Sequence, residues 1–482
     1  MGRGSRSKLW IVLIVLALVA AAGFLGYRAW RSAEQRSLIV SGLPRRPPLD
    51  RARPELKARV AQAEEEARHG ADPLGALQTL SRLYDANGYA EAAAKCYERL
   101  SQLEPEEPRW PHLRATVLAG FGQLEEAVPL WVSVLRRAPD YLPARIRLAD
   151  ALLKLNRVDE AQQTYRDVLS HDPRSTYARL GLARCEMEKQ LWSQAEENLT
   201  KAVQADPNFS AAWQLLASLA EKRGDTAAAA SAQREAAKGQ RYQDIPDAWA
   251  DALLEDCYDP YKLRVAAATM ESGSNVAGAQ RALQRALTLA PNDPAAHREL
   301  GRLLLDQGNI GGAREQLDKA TALAPDDSEN WIGLFKLASA AHDSAEMKRV
   351  VLAGLSHCPN SPTLRLEHGR QLLADGDAKA ALAEFNEAKR LRPNEPDALV
   401  QIGIAYLYLG DTAHGIAAMQ DVLRVQPDHP MALLTLARFT IDAGNEREAR
   451  QWIDRLRQQT RTRPEDVREI SALFQQRFGA AP

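Results

Sequence analysis

Small and apolar residues recur along most of this chain with a period of 34. Pro105, Pro139, Pro173 and Pro207 stand 34 residues apart, and so do Pro291, Pro325, Pro359, Pro393 and Pro427. On that frame eleven units begin at residues 74, 108, 142, 176, 210, 260, 294, 328, 362, 396 and 430. Their eighth places are Ser81, Ala115, Ala149, Ala183, Ala217, Ala267, Gly301, Phe335, Gly369, Gly403 and Ala437. Their twentieth places are Ala93, Ala127, Ala161, Ala195, Ala229, Ala279, Ala313, Met347, Ala381, Gly415 and Ala449. Ten of eleven are small in each set, as expected where two antiparallel helices cross with room for little more than a methyl group. Larger residues such as Leu148, Tyr165 and Leu182 fill the sides. Gly88, Gly122, Gly224, Gly308, Gly376, Gly410 and Gly444 end the first helix of their units, and the recurrent proline starts the turn after the second. A helix pair of this length cannot bury both faces alone, so the units must stack.

Two stretches depart from the pattern. The unit Ser328 to Ser361 carries Phe335 and Met347 at its small places but Gly354 where neighbours have alanine, which implies repacking in which one lost side chain offsets two enlarged ones. A kink in the binding face is the alternative. The second departure is "RYQDIPDAWADALLEDCYDPYK", residues 241 to 262, where 84 residues separate Pro207 from Pro291, two units plus sixteen. Trp249, Leu253 and Cys257 follow Pro246 at i, i+4 and i+8, which predicts a short amphipathic helix with Asp247, Asp251 and Glu255 on a solvated side. Residues 242 to 259 hold six acids and no base, without the close, turn-borne spacing of a calcium loop. The insert is expected to be a joint between two arrays; the alternative is a partner interface built on Tyr242, Trp249, Tyr258 and Tyr261.

The small eighth and twentieth places, the large residue at the twenty-fourth (Tyr97, Trp131, Tyr165, Phe385) and the proline at the thirty-second resemble the tetratricopeptide repeat family over residues 74 to about 463. Arg241 and Arg461 replace the expected proline where a run of units ends. The resemblance implies an all-α fold: a right-handed superhelical solenoid of about eleven 34-residue repeats, with first helices lining a concave groove. It also implies binding rather than catalysis.

Ahead of the repeats, Leu9 to Tyr27 is nineteen residues without a charge, close to the thickness of a bilayer core. It predicts one N-terminal transmembrane helix, flanked by Arg3, Arg6 and Lys8 before and Arg28 and Arg31 after. A cleaved signal peptide with an Ala20 to Ala22 site is the alternative. The layout is that of a signal-anchor in the inner (cytoplasmic) membrane with an exported, periplasmic body, although the positive residues after the span, counted alone, would keep the body inside. The chain then divides into a basic tail (1–8), the anchor (9–27), a basic proline-rich linker (28–54), a capping helix (55–73) with Leu56, Val60, Ala63 and Ala67 on one side, and five repeats (74–243). The acidic aromatic insert (244–259), six repeats (260–463) and a closing helix (464–482) follow. The linker should be an extended spacer, solvated or lying on anionic lipid. With its anchor, the chain is similar to membrane-anchored bacterial members of the family.

Candidate binding chemistry lies at the ninth place of each unit, on the exposed face of the first helix. Six of eleven are basic: Arg82, Arg184, Arg302, Lys336, Arg370 and Arg438. This stripe would suit an acidic or carboxyl-terminal peptide. The competing reading is intrahelical pairing of Arg184 with Glu188, Arg302 with Asp306 and Arg438 with Asp442. Family members that clamp a partner's terminal carboxylate use Lys and Asn at the fifth and ninth places; no fifth place here is Lys and no ninth is Asn. GxxxxGK[ST], HExxH and GxSxG are absent, and the four cysteines are 72 or more residues apart, so no enzyme activity, cofactor, metal or small-molecule substrate is expected. Residues 1 to 59 hold twelve basic against three acidic groups and the rest fifty against sixty, and so acidic a body argues against nucleic acid. The expected function is a membrane-tethered scaffold binding a protein or peptide partner, with a role in envelope complex assembly that comes from family analogy. The alternatives are a periplasmic chaperone or assembly factor for secreted or cofactor-bearing proteins, and a regulatory subunit of a separately encoded enzyme such as a polysaccharide synthase.

Overall fold

The computed structural model describes residues 33–34, 36–239, 244–273, 275–458 and 463–482. Between Pro54 and Phe478 it holds twenty-five α-helices and one 3-10 segment, with no strand among the described residues. The helices come in the pairs that the 34-residue frame predicts, such as Leu142–Lys154 with Val158–His171 and Pro396–Tyr408 with Thr412–Val425.

The small places are where the two helices of a pair touch. Every small residue at an eighth or twentieth place is buried, whereas Phe335 and Met347 are only half-buried. A Cβ built on Gly403 would stand 3.4 Å from the carbonyl oxygen of Gly415, and one on Gly415 would stand 3.4 Å from that of Gly403. The two places therefore oppose each other across the crossing, and Leu407 and Met419 close over the space a methyl would take. Gly354 does not offset the enlarged pair in its unit, contrary to expectation. Its missing side chain makes room for Trp331 Cβ of its own first helix at 3.0 Å and for Leu364 Cδ1 of the next repeat at 2.9 Å, so it lets the two repeats close on each other.

The turn inside each unit has a two-residue grammar. At its ten described positions the fifteenth place adopts the left-handed conformation, with φ of 75° to 89° at the seven glycines that end first helices and 59°, 59° and 54° at Asn156, Gln190 and His342. The residue after it caps the second helix: Asp225, Asn275, Asn309, Asp343, Asp377, Asp411 and Asn445 each accept the N–H three residues on. Tyr89, Gln123, Arg157 and Leu191 hold this place in the first four units without a side-chain cap.

The chain forms two compact units, residues 1–291 and 292–482. The first contains five helix pairs, the insert and the pair Pro260–Ser272 with Val276–Leu289. The helix Pro54–His69 closes its start by burying Leu56, Val60, Ala63 and Ala67, the four residues that sequence spacing places on one side. In the second unit, Pro464–Phe478 buries Ile470 and Phe474 against the last repeat. The described part of the basic linker is not the extended free spacer expected: residues 36–42 are helical, only the stretch from 43 to 49 runs without regular structure, and the body holds both parts. Ile39 is fully buried, Arg36 Nη2 donates to Gly70 O at 2.7 Å, Arg46 pairs with Glu64, and Arg53 Nη1 donates to Leu289 O at 2.8 Å. The segment Leu9–Tyr27, expected to span a membrane, lies outside the described residues; among those described, no helix is long and apolar enough to cross one.

The left-handed site at Gln190 yields a stability prediction. Strain there is about 1–2 kcal/mol for a residue with a Cβ, partly offset by the entropy that glycine loses on folding. Gln190→Gly should stabilise the protein by about 0.5–1 kcal/mol, seen as a higher urea midpoint, and Asn156→Gly should be close to neutral because asparagine tolerates this conformation.

Candidate functional site

The first helices of successive repeats share one face, and in residues 1–291 the insert lies on it. The expected amphipathic helix does not form as one piece. Ala248–Asp251 makes a four-residue α-helix, Ala252–Asp256 a 3-10 turn, and Cys257 is extended. Leu253 and Cys257 are buried as their spacing predicts, but Asp247 is not on a solvated side: it is 2% exposed.

Asp247 is held from four directions. Tyr141 OH donates to its Oδ1 at 2.6 Å, His112 Nε2 lies 2.8 Å from Oδ2, and Arg147 Nε donates to Oδ2 at 3.3 Å. A carboxylate only accepts, so His112 carries its proton on Nε2. The fourth donor is the Ala250 N–H at 3.2 Å, which makes Asp247 the cap of the short helix that follows. Burial alone would raise the Asp247 pKa, but the hydrogen bonds from His112 and Tyr141 and the Arg147 charge hold it well below the usual carboxylate range. Burial and the adjacent carboxylate push the Tyr141 hydroxyl well above its ordinary value.

Two residues on, the Trp249 indole stacks on the Tyr141 ring with centroids 3.6 Å apart and meets the His112 ring edge-on at 5.3 Å. The insert's other contacts lie to either side. Tyr177 OH donates to Asp244 O at 2.6 Å, and Arg147 Nη2 lies 3.5 Å from the Asp244 carboxylate. Arg82 Nε donates to Asp256 Oδ2 at 2.7 Å, while Asn87 donates to Asp256 O and accepts from Tyr258 N, both at 2.8 Å.

The aromatic candidates separate accordingly. Trp249 is engaged by the chain itself, Tyr258 lies under the Arg285 guanidinium at 4.9 Å, Tyr261 is 69% exposed, and Tyr242 lies outside the described residues. The basic stripe also divides. Arg82 pairs with the insert, Arg302 with Asp306 at 3.0 Å, and Arg370 with Glu367 at 2.6 Å. Arg184, Lys336 and Arg438 are exposed and form no ion pair among the described residues, so of the three intrahelical pairs expected only Arg302 with Asp306 is present. Sequence reading missed His112, Tyr141 and Arg147. The signal available was three polar or aromatic residues on repeats with no role in the crossing pattern. No cluster of His, Cys, Asp and Glu among the described residues could hold a metal ion.

Stacked antiparallel helix pairs, with small residues at the crossing in ten of the eleven units and a face shared by the first helices, define a helical-repeat protein suited to protein–protein interaction. Models of the tetratricopeptide repeat match residues 74–107, 118–168, 159–219, 272–334 and 407–473, more than half of the chain, and the chain belongs to that family as an all-helical solenoid. Among curated proteins it is 40% identical over 81 residues to the TPR repeat-containing thioredoxin TTL4 of Arabidopsis thaliana, covering 17% of this chain and 12% of that one. It is 24% identical over 310 residues to the cellulose synthase 1 operon protein C of Komagataeibacter xylinus, covering 62% of this chain and 19% of that one. The chain thus spans less than a fifth of the length of either relative. Among solved structures, yeast Tom70 aligns with 83% of this chain and 95% of its own, at 17% identity and a TM-score of 0.38.

The lowered Asp247 pKa fixes the sign of a pH effect. Its contribution to docking is fully present above the free carboxyl value of about 3.9 and is lost only as pH falls through the depressed docked value. Hydrogen exchange over residues 248–256, corrected for intrinsic rate, should show the same protection at pH 7 and pH 5. Asp247→Asn at pH 7 should lower it about a hundredfold, since removing one partner of a buried ion pair costs about 3 kcal/mol.

Proposed function

We propose that this chain is a membrane-tethered, non-enzymatic scaffold that takes up an acidic protein or peptide segment on the first-helix face of residues 294–442. The observation that carries the reading is the exposure of Lys336 and Arg438, with no ion pair among the described residues, at the ninth place of two first helices. A cation on a repeat face without a counter-charge is available to a partner, and charges of this kind set partner choice and association rate. The uncharged segment Leu9 to Tyr27 supports a single-pass anchor in a bacterial inner membrane, with the repeats on the periplasmic side and a role in envelope complex assembly.

A second reading, a subunit serving a separately encoded polysaccharide synthase, is supported by the likeness to a protein named for a cellulose synthase operon. Crosslinking the anchored, full-length chain in its native membrane, followed by mass spectrometry, separates the two. A scaffold yields a fixed set of partners through lysines near residue 336, and a synthase subunit yields one integral membrane enzyme.

Reversing both charges, Lys336→Glu with Arg438→Glu, should lower capture of the partner about tenfold, since exposed charge contacts contribute up to about 1 kcal/mol each. Unchanged capture would remove the stripe from the function. Protease added to intact spheroplasts should digest the repeats; their protection would place them on the cytoplasmic side instead.

A further inference from the structure

The insert meets the repeats as a peptide meets a receptor. From Asp244 to Tyr258 its contacts step backwards through the first helices: Tyr177 in the fourth unit, Arg147 in the third, His112 in the second, then Arg82 and Asn87 in the first. Backbone groups of the insert take part at Asp244 O, Trp249 N, Asp256 O and Tyr258 N. Side-chain selectivity is concentrated in two anchors, the Asp247 carboxylate and the Trp249 indole. The crossing of helices within a pair uses none of the receptor groups: they stand on the shared face, away from the eighth and twentieth places. His112 is fully buried and its Nδ1 has no hydrogen-bond partner, so one polar atom of the pocket is unsatisfied by the present occupant.

We propose that the first-helix face of residues 73–188 is a binding site for an acidic, tryptophan-bearing segment of a partner protein, and that Asp247–Ala248–Trp249 of the chain itself is the resident occupant that keeps the site closed. The pocket reads a carboxylate with a tryptophan two residues after it, because Tyr141 serves both anchors: its hydroxyl holds the acid and its ring carries the indole. The site extends beyond the insert. Arg184, exposed on the first helix of the fourth unit and without a close ion pair among the described residues, although in the longer-range field of Asp150, lies on the same helix as Tyr177, which holds the insert's first described residue, Asp244. A partner with further acids ahead of its aspartate gains a contact that the insert lacks. That gain is needed, because a segment tethered at both ends competes at an effective concentration of about a millimolar. This site is separate from the face of residues 294–442.

The probe is a fluorescein-labelled peptide of residues 244–259 with Cys257→Ser, titrated by anisotropy against the full-length chain in detergent. Wild type should bind it weakly. The double variant Asp247→Ala, Trp249→Ala should bind it about a hundredfold more tightly, with unchanged helicity by circular dichroism. In the opened chain, Asp247→Asn in the peptide or Arg147→Glu in the receptor should abolish that gain. Two glutamates added ahead of the peptide should tighten binding about tenfold, and Arg184→Glu should reverse this. Lys336→Glu with Arg438→Glu should change nothing, which keeps the result distinct from the scaffold reading. An opened, helical chain that fails to bind the peptide overturns the proposal. So does loss of helicity, which would make the insert a structural staple. Concentration-dependent dimerisation of the wild type that Asp247→Asn abolishes would assign the face to a second copy and also overturn it.

Discussion

In ten of the eleven units the two helices cross with small residues at both crossing places, the exception being the unit with Phe335 and Met347, and the rest of the architecture follows from that close approach. With alanine or glycine at places eight and twenty, the pair itself buries little apolar area, so its larger residues must find cover in the next pair. The aromatic at the twenty-fourth place does this, and Tyr97, Trp131, Tyr165 and Phe385 are all buried. A buried tyrosine needs a partner for its hydroxyl, and the first helix of the same unit supplies one: Tyr97 OH donates to Asp85 and Tyr165 OH to Asp150. Burial raises the pKa of both carboxyls. Packing thus takes up some of the charge on the first helices, and what remains on the shared face is what recognition can use.

The insert is ordered by that face. Neither its single α-turn nor its 3-10 turn is long enough to persist alone, since nucleation outweighs propagation in so short a segment. Burying Asp247 would cost several kcal/mol if the carboxylate were left bare. Four donors offset that cost, and three of them, Arg147, Tyr141 and His112, come from 100, 106 and 135 positions earlier in the chain. The same tyrosine hydroxyl also accepts from Trp249 N at 3.2 Å, so acid, indole and backbone are fixed together.

The distance between partners also explains what could be read in advance. The crossing residues, the turn glycines and the buried side of Pro54–His69 were legible because a 34-residue or 3.6-residue period records them locally. The burial of Leu253 and Cys257 was legible for the same reason. Asp247 was not, because its spacing with Asp251 and Glu255 describes a solvated helix side, and nothing nearby in sequence reveals that His112, Tyr141 and Arg147 converge on it. Nor did period show that Ile39 and Arg53 pin the linker, since a proline-rich basic run has the composition of a spacer whether or not the body holds it. Of the ninth-place stripe, the basic character was legible but the partners were not. Arg82 found an acid 174 positions away, while Arg184 and Arg438 ignored the acids four residues on.

Charge placement then gives the insert's acidity a meaning. Of its six acids, Asp247 is buried in the tyrosine–histidine–arginine pocket, Asp244 and Asp256 pair with Arg147 and Arg82, and Asp251 accepts from Asn275. Asp259 caps the next helix by accepting from Tyr261 N and Lys262 N. Only Glu255 is left as an exposed acid without such a role. A run in which five of six acids have partners in the folded chain is not a generic solubilising tract. The cations of residues 294–442 have no such complement within their own unit at Lys336 and Arg438. On the first face the insert supplies the counter-charges of Arg82 and Arg147, whereas on the second Arg302 and Arg370 find acids on their own helices and Lys336 and Arg438 find none among the described residues. The difference between a closed and an open recognition surface comes from the sixteen residues by which this chain exceeds its own repeat.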